Sequence, residues 1–415
     1  MLDNARNVAA VILTTLVLCL ALAEVSWAAH REKVLHHFNY ANGAYPQGSL
    51  TLDAVGNLYG TASGGGIHGG YGVVFRLVRG QNGRWTEQVL HSFNGQDGAN
   101  PTAALIFDEA GNLYGTTSSG GDLRGCDGIG CGVAFELMPG TSPHWARRVL
   151  HVFRGKDGST PSGLVFDSAG NLYGTTYAGG AYGCGSVFEL TPGDNSRWTE
   201  SVLYSFEGGD DGSNPAAGLI FDVAGNLYGT TVSGGVSGAG TVFQLTPGAG
   251  GMWTETVLHF FGPMDGFNPY AGVVFDPAGN LDGTTSRGGA YGRGAVFQLV
   301  PSGAGTWIEA LLYSFDQRNG DNPDAGVTVD SGGNLYGTAV GSGAHGFGIV
   351  FQLSQGVNGT WTEEVLHRFK GGMDGAEPYA GVILDGTGNL YGTAALGGTQ
   401  TECNNGCGVV FEVVP

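Results

Sequence analysis

Positive charge is scarce in this chain: 17 Lys and Arg stand against 36 Asp and Glu, and the basic residues form no cluster. Without a basic patch, nucleic acid and anionic membrane surfaces are excluded as partners. Charged residues make up only 13% of the sequence, so the net charge of -19 reads as what keeps a low-charge surface soluble. Acidic calcium sites are the competing reading; no cofactor is expected otherwise. Alanine/leucine heptads are absent, and the 79 glycines weaken helices, which excludes long ones. The glycines follow no three-residue period, which excludes collagen. Short bursts of Val, Ile, Leu, Phe, Tyr and Trp run throughout, which excludes disorder. Nucleophile elbow, zinc signature and phosphate loop are all missing. Only one apolar run is long, from Val8 to Ala23 after Arg6. It is short for a membrane span and suits a signal-peptide core. Small-x-small sites follow at Ala21–Ala23 and Ser26–Ala28. Cleavage after Ala28 is expected, so residues 1–28 are read as a signal peptide. The mature chain, 29–415, is then secreted, extracellular or periplasmic, with an uncleaved anchor as the alternative.

What is abundant is repetition. Gly-Asn-Leu-Tyr-Gly starts at Gly56, Gly111, Gly170, Gly225, Gly333 and Gly388, and Gly279 opens a variant with Asp282 in place of tyrosine. The intervals are 55, 59, 55, 54, 54 and 55 residues. Each unit reads as four short strands, a to d, separated by Gly, Pro, Asn and Asp. Seven units of four antiparallel strands predict an all-β, seven-bladed β-propeller. The ends agree with this. The chain stops after strand c of unit seven, and the mature chain starts with a lone strand d, Val34–Phe38. That strand would complete the last blade and close the ring, removing an exposed edge. Trp85, Trp145, Trp198, Trp253, Trp307 and Trp361 open the internal d strands, and His30 takes the seventh position.

The pattern resembles the GloVer tandem-repeat family, named for Gloeobacter and Verrucomicrobia. It is carried by Asn171-Leu172-Tyr173-Gly174-Thr175-Thr176, then Gly179-Gly180 and Gly183-Cys184-Gly185-Ser186-Val187-Phe188. The resemblance covers nearly all of residues 34–415. It implies an exported bacterial protein and supplies no catalytic residues to carry over.

Positions repeated in every unit report folding, because each blade solves the same packing problem. Asp53, Asp108, Asp167, Asp222, Asp276, Asp330 and Asp385 are read as turn residues that accept backbone amides. His36, His91, His151, His259 and His367 share one place on strand d, with Tyr204 and Tyr313 in the other two units. They would lie apart around the rim, so no metal site is expected from them. Function is sought instead in unrepeated residues on the d–a and b–c loops, which share one face. Tyr45, Phe267, Tyr270 and Tyr379 flank the d–a turns; Tyr71, Tyr182, Tyr291 and Phe347 occupy b–c loops. Rings on rigid loops suit stacking on sugars or peptide side chains, although they could equally cover their own glycine loops. Asp321, Asp324 and Glu377 are the carboxylates from which a glycosidase pair could come. The expected role is therefore a monomeric binding module for a carbohydrate or protein partner. A glycoside hydrolase or lyase at the channel mouth is the first alternative, and a structural envelope protein the second. Cys126 with Cys131, and Cys403 with Cys407, are expected to staple enlarged loops in an oxidising compartment; Cys184, aligned with Cys131, leaves exchanged pairings open.

Overall fold

The computed structural model describes residues 30–140, 145–194, 197–303, 305–399 and 402–415; the expected signal peptide lies outside them. Seven four-stranded antiparallel sheets form a ring, a seven-bladed β-propeller. Blade 4 is representative. Strand a is Ile220–Phe221, b is Leu227–Thr231, c is Thr241–Pro247 and d is Trp253–Phe260. Strand b is buried at every position, because both of its faces meet neighbouring blades. The Asp that follows strand a makes the a–b turn: Asp222 Oδ1 accepts from the amides of Ala224 and Asn226, and Oδ2 from the Asn226 side chain and the Tyr228 hydroxyl. Both oxygens are taken up by the turn, which is the structural role read for this residue.

Strand d departs from the strict two-residue alternation of a regular strand. A β-bulge lies between Val257 and His259, so both pair with consecutive residues of strand c, Phe243 and Val242. The same shift recurs between Val89 and His91, with a physical use. Val89 packs with its own blade's Phe75, while Leu90 turns into the cluster of the next blade with Leu105, Leu113 and Phe135.

The core lies between blades rather than within them, as seven clusters, one per junction. Each junction contains a phenylalanine pair. Phe261, after strand d of blade 4, meets Phe297 of blade 5 edge-on at 4.9 Å. Such pairs add about 0.5–1.5 kcal/mol beyond the area they bury. Near the axis, Thr230 Oγ1 donates to the carbonyl of Ala271 in the next blade at 2.8 Å. The N-terminal strand, Arg31–His37, pairs antiparallel with Val409–Val414, and Val34 lies opposite Phe411. Phe38 then meets Phe75 at 5.0 Å and joins blade 7 to blade 1. Closure is as the sequence predicted.

Candidate functional site

Bridges between the d–a turns and the b–c loops, such as Ala44 to Gly64, Phe267 to Arg287 and Ala376 to Leu396, hold these segments on one face. The d–a turn has a fixed backbone plan. Asn100, Asn214, Asn268 and Asn322 adopt φ of 55, 59, 57 and 53° directly before a proline. Asparagine tolerates this left-handed conformation. Tyr45, Thr160 and Glu377 occupy the same position in their blades with φ of 57, 55 and 55°. Three of the seven turns therefore hold an unfavoured residue, and two of these are candidate site residues.

The eight candidate rings separate into two groups. Tyr45 and Phe267 are half-buried in junction clusters. Each lies against a loop glycine, Gly64 and Gly288, so their first role is to cover the loops. Tyr71, Tyr182, Tyr270, Tyr291 and Phe347 are exposed, Tyr291 by 65% and Tyr182 by 60%. Tyr71 lies over Gly95, and Phe347 over Gly371. Tyr379 is half-buried and lines the mouth of the central channel. That channel holds a cavity of about 330 Å³, walled by small residues from all seven blades, among them Ala103, Ala217, Gly272 and Gly326. Two larger cavities follow at successive junctions on the same face. One, of about 690 Å³, is lined by Tyr291, Arg318 and Arg368. The other, of about 660 Å³, is lined by Phe347, Glu377 and Cys403.

The candidate carboxylates differ in state. Asp321 is buried, paired with Arg293 at 3.1 Å and bonded by the Ser342 hydroxyl at 2.6 Å. Burial pushes Asp324 up to about 6, against the pull of Arg287. The Tyr379 phenol is raised by burial and by Glu377 and Asp324 beside it. Tyr379 thus feels both Asp324 and Glu377, although these carboxylates come from two d–a turns more than fifty residues apart.

The two expected disulfides, Cys126–Cys131 and Cys403–Cys407, are formed. Cys184 is a free thiol, and the exchanged pairings do not occur. The first bridge staples the b–c loop of blade 2. The second borders the cavity beside Phe347.

The rim carries an arrangement that the sequence reading missed. The repeated histidine of strand d bonds the aspartate of the following turn, as in His151–Asp157 at 2.9 Å and His259–Asp265 at 2.9 Å. In blade 3 Tyr204 does the same to Asp211. A glutamate from strand d of the next blade faces this pair. Burial pushes Glu32, Glu87, Glu255, Glu309 and Glu363 up to about 7 and raises Glu200. The signal was present as Trp-x-Glu at the start of strand d, but only the bulge and the ring bring Glu200 to His151.

These shifts set a pH dependence. Glu87, Glu255, Glu309 and Glu363 hold protons that the unfolded chain releases near pH 4.5. Their contribution to stability is complete below about 4.5 and is lost as pH rises to about 7. His36, lowered to about 4 by burial, and His259, also lowered, act in the opposite direction as pH falls below 6.5. The carboxyls outnumber them. With divalent metals removed, the melting temperature is expected to rise by about 5 °C between pH 8 and pH 5.5. A calorimetric scan with a flat or inverted profile would contradict the rim assignment.

Among the described residues, no helix is long and apolar enough to cross a membrane. Similar solved structures include the extracellular domain of a hybrid two-component system of B. thetaiotaomicron, at 12% identity and TM-score 0.51, covering 92% of this chain and 41% of that one. PorZ, a surface component of the type-IX secretion system of Porphyromonas gingivalis, matches at 16% and 0.50, covering 92% and 47%. An ulvan lyase matches at 9% and 0.53, covering 92% and 95%. The chain spans less than half the length of the first two, and at these identities the likeness is one of fold. No match was found among the curated proteins. The profile of the Gloeobacter/Verrucomicrobia repeat matches residues 24–220, 125–308 and 251–415, and the chain belongs to that family.

Proposed function

We propose that this is an exported binding module that takes an oligosaccharide on the d–a and b–c face, across blades 5 to 7. The observation that carries this reading is the pair of cavities at successive junctions, bordered by Tyr291 and by Phe347. Open, glycine-walled hollows with a ring at the edge suit a flat, hydroxyl-rich ligand. The rings stack on sugar faces, while Arg318, Arg368 and Glu377 offer polar partners. The ulvan lyase of similar fold was solved with a saccharide bound, which supports the capacity of the fold to take one and no more. An array of glycans and peptidoglycan fragments is expected to return a ligand. Tyr291→Ala and Phe347→Ala are each expected to weaken its binding by about 5–10-fold, the worth of one stacked ring. Uniform silence, or variants that bind like the parent chain, would contradict the reading and favour a structural envelope role.

One observation favours a catalytic second reading. Asp324, pushed up to about 6 by burial, and Glu377 both act on Tyr379, which lines the channel. A carboxyl held above the ordinary carboxylate range, with a second carboxyl across the site, is what glycoside cleavage uses. If the bound glycan is cleaved, Asp324→Asn is expected to abolish turnover and retain binding.

A further inference from the structure

We propose that two rim junctions, Glu32–His367–Asp374 and His151–Asp157–Glu200, each bind a divalent metal ion of the zinc class between neighbouring blades. In both sets one nitrogen and two carboxylate oxygens lie within 4.8 Å of one another; among the described residues only these two gather so closely. An imidazole with two carboxylates is a donor set that zinc accepts. Donors bound tetrahedrally at about 2.0–2.2 Å sit about 3.3–3.6 Å apart around one ion, so the His151–Asp157 pair, at 2.9 Å, would open by a few tenths of an ångström. His367 Nε2 and Asp374 Oδ2 are 3.3 Å apart. At the other junction the Arg154 amide holds Asp157 Oδ1 at 2.7 Å, while Oδ2 faces His151.

Two further observations bear on a cation at these junctions. The Oε1 atoms of Glu32 and Glu200 are buried and find no hydrogen-bond partner among the described residues. Buried polar atoms of this kind ordinarily have one. The same holds for Oε1 of Glu87, Glu255, Glu309 and Glu363, so the orphaned oxygen is common to the rim and only the closeness of the other two donors sets these two junctions apart. The repeat itself supplies the second observation. In blade 2 the strand d position of these glutamates holds Arg147, whose guanidinium lies 3.5 Å from Asp97, which also bonds His91 at 3.0 Å. Where the glutamate is replaced, the chain places its own cation against the His–Asp pair. The other junctions each lack something: Tyr204 and Tyr313 replace the histidine, Asn42 the aspartate, and His259, Asp265 and Glu309 are not drawn together as closely. The repeated histidines alone lie too far apart around the rim to share an ion. The neighbouring blade's glutamate supplies the third ligand.

Glu32 belongs to the N-terminal strand, so an ion at the first junction would tie the ring-closing strand to blade 6. The side chains of His367 and Asp374 are 12% and 17% exposed, which leaves an ion a path from solvent.

The test is equilibrium binding of zinc to the metal-stripped full chain, with cobalt as a spectroscopic probe. Two equivalents are expected to bind below about 10 µM free zinc and to raise the melting temperature by about 5 °C or more. Glu32→Arg and Glu200→Arg copy the arrangement at Arg147 and should fold. Each is expected to remove one equivalent, weakening that site at least about 100-fold, the upper end of what losing a supporting partner costs. Each should also keep its melting temperature without metal. No saturable binding, or undiminished binding in the double variant, overturns the proposal. A single equivalent overturns it for whichever junction the substitutions leave silent.

Discussion

Gly240→Ala is expected to destabilise the protein by about 3–5 kcal/mol, although it adds one methyl group. Gly240 has φ of +100°, and its added Cβ would approach Pro269 Cδ of the next blade to 2.8 Å as well as the Thr231 carbonyl of its own. The left-handed backbone costs a non-glycine residue about 1–3 kcal/mol. The overpacked junction costs about as much again. Every junction repeats this contact; Gly72 meets Pro101, and Gly408 meets Pro46 across the closure. Gly238→Ala serves as the control. Its φ is also positive, at +69°, but its Cβ would meet nothing within 4 Å, so only the smaller backbone cost applies. Denaturant melts that give equal losses for the two variants would show that blade contact is not the cause.

Deleting residues 30–38 is expected to have the larger effect: no stable monomer, or a melting temperature lower by more than about 15 °C. The deletion removes a strand d and Phe38, which is fully buried against Phe75. It also strips the partner from Val409–Val414, leaving an unpaired apolar edge that recruits other chains. A synthetic peptide of residues 30–38 should restore the folded monomer, read by gel filtration and thermal melting. A deletion variant that melts like the parent would mean that the ring is held elsewhere.

The blades were legible because each is written seven times. The Gly-Asn-Leu-Tyr-Gly period, the tryptophan that opens strand d and the lone first strand sufficed for blade number and closure. Pairings made across blades were not legible. His151 and Asp157 are six residues apart and look like separate repeat features, and Glu200 comes from the next unit. A bulge and a ring geometry are needed to bring them together. That the d–a turns and b–c loops share one face was likewise readable, because strand direction sorts loops into two sets. The division within it was not. Tyr45 and Phe267 read like Tyr291 and Phe347 in the sequence, yet the first two are half-buried in junction clusters and the others border open cavities. Asp321 looked equal to Asp324 until Arg293 and Ser342 were found around it.

The claim that matters most is that ligand rests on the d–a and b–c face of blades 5 to 7. Amide hydrogen exchange with and without the glycan found on the array tests it most directly. Protection is predicted in loops 316–324, 342–348 and 371–379, with the a–b turns, such as Asp276–Asn280, unchanged. Protection at those lower turns, or along the rim alone, would contradict it.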